Sequence, residues 1–70
     1  MKFIVFGQKL EIIRQQEKWV VLLIGRDGKK QPARDIFIPS EIREADLTIW
    51  LEDQLHERAT PDNPDVVRIS

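Results

Sequence analysis

The stretch "KWVVLLI", Lys18 to Ile24, puts apolar side chains on both faces of the strand it would form. Alternate residues of a strand point to opposite sides, so Trp19, Val21 and Leu23 oppose Val20, Leu22 and Ile24. The same holds for "KFIVFG" near the start, where Phe3 and Val5 oppose Ile4 and Phe6. Such strands need cover on both sides, yet the chain offers one segment with a helical pattern, and one helix covers one face. The second face would carry a contiguous apolar patch larger than soluble monomers usually tolerate. A partner is expected to bury it, most simply a second copy of the chain.

The other elements follow from local signals. Gly7-Gln8-Lys9 reads as a turn into "LEIIRQQ", a second strand, and Gln15 to Lys18 makes the turn into the strand of Lys18 to Ile24. Asp27-Gly28 supplies the positive φ that a tight hairpin needs. "DIFIP", Asp35 to Pro39, reads as a short fourth strand stopped by proline. Ser40 is a candidate N-cap for the helix, with Glu41, Glu44 and Asp46 near the positive end of its dipole. Leu47, Trp50, Leu51 and Leu55 then fall within one helical face about 140° wide. Thr60-Pro61 ends the helix, because a residue before proline is pushed out of helical geometry. Residues 60–65 form a polar, proline-rich linker to a C-terminal strand, "VVRI". The reading is one α+β domain over residues 1–70: a mostly antiparallel sheet of three to five strands in β-β-β-(β)-α-β order, with one helix packed on one face.

Composition narrows the setting. The chain has no cysteine, which removes disulfides, thiol nucleophiles and cysteine metal sites. Small secreted domains commonly depend on disulfides, so a reducing, cytoplasmic location is expected. The run from Trp19 to Ile24 is far short of the roughly 20 apolar residues that span a bilayer. Gly7, Gln8 and Lys9 interrupt any signal-peptide core at the start, and no membrane association is expected. The net charge of −1 hides a polarity: residues 1–34 hold eight basic and three acidic residues, residues 35–70 three basic and nine acidic. Asymmetry of this kind marks candidate contact surfaces.

Few residues look like chemistry. His56-Glu57 begins like a zinc-hydrolase helix, but the second histidine belongs at i+4, where Thr60 stands before Pro61. His56 with Glu52, four residues back, has ligand spacing and lacks a third ligand of similar quality. A histidine near a helix C-terminus beside a carboxylate fits the dipole without any metal. Ser40 reads as a cap, Ser70 is the last residue, and Thr48 and Thr60 have no base at a fixed distance. Glu52 and Asp53 point about 100° apart on a helix, which suits solvent better than a shared proton. No enzyme activity, metal, cofactor or small-molecule substrate is expected.

Two surfaces remain as binding candidates. Arg26, Lys29, Lys30 and Arg34 gather in the basic hairpin of residues 26–34, where they would meet phosphates or an acidic protein surface. No aromatic platform accompanies them, and Trp19 and Phe37 are assigned to the core. Ile49 lies opposite the Leu47–Leu51–Leu55 face, near Ile42, Ala45 and His56, so Ile42, Ile49 and His56 outline a small contact patch.

"VFG" at Val5 to Gly7, Trp19, "GKK" at Gly28 to Lys30, Ala33, "IP" at Ile38-Pro39, Leu51 and "HERATP" at His56 to Pro61 together resemble a family of short bacterial proteins of unknown function. The likeness covers nearly the whole chain. It implies a stand-alone bacterial protein and brings no catalytic residue with it. At the level of fold alone, three strands before a helix also look like the compact antitoxins of toxin–antitoxin pairs. The glycine- and proline-rich pentad expected between strand and helix there is missing here. The expected function is therefore a non-enzymatic protein-binding or self-associating module. The alternative is a nucleic-acid-associated or antitoxin-like regulator that uses the basic hairpin.

Overall fold

The computed structural model describes residues 1–70. Its elements run β1 (Lys2–Val5), β2 (Gln8–Gln15), β3 (Lys18–Ile24), β4 (Lys30–Pro32), α1 (Leu47–Leu55) and β5 (Val66–Arg68). They form one five-stranded sheet in the order β4-β3-β2-β1-β5, with every neighbouring pair antiparallel. This is the α+β architecture read from the sequence, with the single helix on one face.

Two hairpins set the register. Val5 pairs with Gln8 and Gln15 with Lys18, so Phe6-Gly7 and Gln16-Glu17 are two-residue loops. Both residues of each loop have positive φ: 48° and 86° in the first, 50° and 64° in the second. That is the type I′ turn, whose twist matches the flanking strands. The first turn therefore sits at Phe6-Gly7, one residue before its expected place. Glycine suits position 7 on two counts, because its φ is 86° and a Cβ there would lie 2.7 Å from Asn63 Cγ and force that side chain to move.

The register sorts side chains between faces. Phe3, Val5, Leu10, Ile12, Val21 and Val66 point inward and meet Leu47 and Leu51 of α1, together with Ala33, Ile36 and Ile38. Trp50 and Leu55 pack half-buried against this core, as their place on the helical face implied. Trp19 sits at its rim, where the indole N–H donates to the Ile42 carbonyl at 2.8 Å and the Arg14 guanidinium lies over the ring.

Three local expectations change. The fourth strand is Lys30–Pro32 and not Asp35–Pro39, because the Gly25–Lys29 turn folds the chain straight back onto β3. The segment after it keeps the inside–outside alternation, with Ile36 and Ile38 buried, but has no strand partner. Phe37 between them is 81% exposed, so it is not a core residue. The helix begins later than Ser40: a 3₁₀ turn at Glu44–Asp46 leads into α1, and neither its Arg43 cap nor the Asp46 cap of α1 makes a side-chain capping bond. A second 3₁₀ turn, His56–Arg58, ends the helical stretch. Thr60 and Asn63 then bridge through a tight turn over Pro61-Asp62 before β5.

Candidate functional site: the open face of the sheet

The face opposite α1 has no covering layer. By register it presents Ile4, Ile13, Val20, Leu22, Ile24 and Val67, with Ile4, Ile13 and Val67 exposed and Val20, Leu22 and Ile24 half-buried. Lys2, Lys9, Lys18 and Lys30 share this face, and Glu11 of the middle strand is its one carboxylate. The aliphatic stems of lysines cover part of the apolar surface while their ammonium groups stay in water.

Lys30 does this across a whole strand. It stands beside Ile24 on β4, while Glu11 stands beside Leu22 on β2, so the pair passes over β3. Lys30 Nζ lies 2.6 Å from Glu11 Oε1, a close ion pair. The Lys30 ammonium, first through its side-chain hydrogen bond and then through its charge, holds the Glu11 carboxyl below its ordinary value against the opposing effect of desolvation, and Lys2 adds to the lowering. The Glu11 side chain keeps 17% of its exposure and that of Lys30 keeps 49%. The pair is thus a surface strap and not a buried charge.

The four cations of the basic hairpin do not form one cluster. Arg26 lines a cleft at the end of the sheet, Lys29 lines a smaller one with Leu23 and Gln31, and Lys30 is held by Glu11. Arg34 lies beyond β4, lines no cleft and makes no ion pair. Sequence reasoning left out Lys9, which the register places next to Ile24 and which lines the same cleft as Arg26. The signal was available in the turn lengths, since two-residue loops fix which residues face each other.

The patch of Ile42, Ile49 and His56 also separates. Ile42 precedes the helical stretch and packs half-buried on the core. Ile49 stands alone on the solvent side of α1, 62% exposed. The exposed His56 donates from Nδ1 to the Asp53 carbonyl at 2.9 Å, closing the last turn of the helix rather than pairing with Glu52. No three His, Asp or Glu side chains come together.

The helix side carries the opposite charge. Glu41, Glu44, Asp46, Glu52, Asp53 and Glu57 all lie in the helical stretch and the turn before it. Arg68 of β5 bonds to Glu44 at 2.8 Å, and Arg58 pairs with Asp35, so two of the three arginines there tie segments together. The sequence polarity thus becomes a spatial one, a lysine-rimmed sheet face against an acidic helix face. No helix is long and apolar enough to cross a membrane.

Fold and surface together define a small α+β protein with a five-stranded antiparallel sheet, one helix and one bare sheet face. The chain belongs to a family described as a domain of unknown function, DUF7661, whose model matches residues 1–70. No curated protein and no solved structure matches it.

Proposed function

We propose that this protein acts by binding, without catalysis, and that its bare sheet face docks a protein partner with an acidic surface. One observation carries the reading: six aliphatic side chains share the uncovered face, three exposed and three half-buried, framed by four lysines and a single glutamate. An aliphatic centre with a charged rim is the anatomy of a protein interface. Nucleic acid makes poor use of it, because the face has no aromatic side chain on which a base would stack. A second copy brings the same excess of lysine to the contact, and like charges placed opposite each other oppose docking. Complementary acidic charge removes that conflict and speeds encounter. A cytoplasmic, bacterial setting accompanies this reading.

The test uses tagged protein in three forms: wild type, Ile13→Glu on the bare face, and Ile49→Glu on the helix as a control. Both replaced residues are exposed, so equal melting temperatures are expected. Wild type and the Ile49 variant recover the same partner in a salt-sensitive manner, and the Ile13 variant loses it. Light scattering is expected to show the wild type alone as a monomer at high micromolar concentration. A dimer broken by Ile13→Glu would hand the face to a second copy. Salt-dependent capture of short RNA or DNA would overturn the protein reading, as would equal recovery by all three forms.

A further inference from the structure

All three glycines of the chain, Gly7, Gly25 and Gly28, line one cleft. It opens at the end of the sheet, between the β1–β2 and β3–β4 turns, and measures about 650 Å³. Gln8, Lys9, Ile24 and Arg26 complete the wall. No carboxylate is among them. The nearest candidate, Asp27, is turned to the other side of the hairpin, where its Oδ1 accepts from the Lys29 N–H at 3.1 Å and lines the neighbouring cleft. Neither Lys9 nor Arg26 is in an ion pair, whereas Lys30, Arg43, Arg58 and Arg68 all are.

We propose that this cleft is a binding site for a phosphomonoester, with Lys9 and Arg26 as the two cationic arms that hold its dianion. Gly28 makes the room, since nothing lies within 4 Å of a Cβ built on it, whereas a Cβ on Gly7 would meet Asn63 and one on Gly25 would meet Asp27 Oδ1 at 3.0 Å. Gly25 and Gly28 supply no donors, since the Gly25 N–H already donates to Lys29 O and the Gly28 N–H to Gly25 O. Charge-assisted bonds from the side chains therefore carry the affinity, with the guanidinium suited to two phosphate oxygens at once. Two unpaired cations match a dianion better than the single charge of a phosphodiester. The volume is well above what a bare phosphate fills and within the range of small-molecule sites, leaving space along Ile24 for the organic group. This site rests on the cleft and its charges, and it stands or falls separately from the partner assigned to the rest of the face.

The three glycines also give the experiment its readout. Nitrogen-15-labelled protein is titrated with phenyl phosphate, and the amide signals of Gly7, Gly25 and Gly28 are followed. They are expected to move together and to saturate, with binding tightening as pH rises through the second phosphate ionisation near pH 6. Lys9→Ala and Arg26→Ala each weaken it by roughly fivefold or more, the scale of one charge-assisted contact at a surface. Lys29→Ala, on the other side of the turn, leaves it unchanged. Both arms are exposed, so a melting temperature equal to wild type separates loss of binding from loss of fold. Shifts that rise without saturating, or that follow every lysine alike, overturn the proposal. So does tight binding of a short oligonucleotide with none of the phosphomonoester, or indifference to Lys9→Ala.

Discussion

Glu11 is the one carboxylate in a field of lysines, and its titration reports whether the strap over β3 is closed. Its folded-state value is depressed by Lys30, below the ordinary 4.5. A depressed carboxylate stabilises the fold fully above its unfolded value, and that contribution disappears as pH falls through the folded value. The wild type is therefore expected to exceed a Lys30→Met variant in urea midpoint near neutral pH, with the gap closing below about pH 4. Methionine keeps a long apolar stem over β3 while removing the charge, which isolates the ion pair. Salt should narrow the gap as acid does, because the pair is partly exposed. A gap of constant size at every pH would mean that the stem, and not the charge, is what matters.

At the scale of elements, the type I′ turn at Gln16-Glu17 is the place where sequence and geometry disagree most. Neither residue is glycine or asparagine, yet φ is 50° and 64°. Left-handed geometry costs an ordinary residue about 1–2 kcal/mol, and a glycine gives part of that back through a freer unfolded chain. Glu17→Gly is expected to stabilise the protein by about 0.5–1 kcal/mol, read as a rise of several degrees in melting temperature. No rise would place the strain elsewhere. That turn was placed correctly from the sequence, at Gln15 to Lys18, but other connections were less readable than the strands. The apolar runs Phe3 to Val5 and Trp19 to Ile24 mark strands with two apolar faces, and the Leu47–Leu51–Leu55 stripe of α1 marks the buried side of the helix. Such patterns say nothing about backbone partners. Ile36 and Ile38 alternate with Phe37 as strand residues do, and the inside–outside reading of the two isoleucines holds while the pairing does not. The late start of α1 has a similar cause: Ser40, Glu41 and Glu44 are good first-turn residues, but Ile42 is drawn towards the core, and its carbonyl takes the Trp19 indole bond before the helix begins.

Across the whole molecule, net charge is a poor guide to behaviour. The chain carries −1 overall, but its charges separate onto opposite sides, so each side presents a local field of its own sign. The protein is expected to bind a sulfonate cation-exchange resin at neutral pH and low salt, above its sequence pI of about 5.7. Replacing Lys9 and Lys18 with glutamate should release it, while passage of the wild type without retention would mean that the two sides cancel. The bare face was legible from the strand pattern, because two-faced strands outnumbered the helices available to cover them. The cleft was not, since it depends on which residues of separate hairpins meet.

The two outer strands of the sheet, β4 and β5, are three residues each, and Pro32 lies within the first. Short margins, one of them bearing a proline, give an incoming strand little to zip onto. Growth of this protein into fibrils by lateral strand addition is therefore disfavoured at both edges. The uncovered aliphatic surface and the route to polymerisation by strand pairing thus lie in different directions, one across the sheet and the other along its edges.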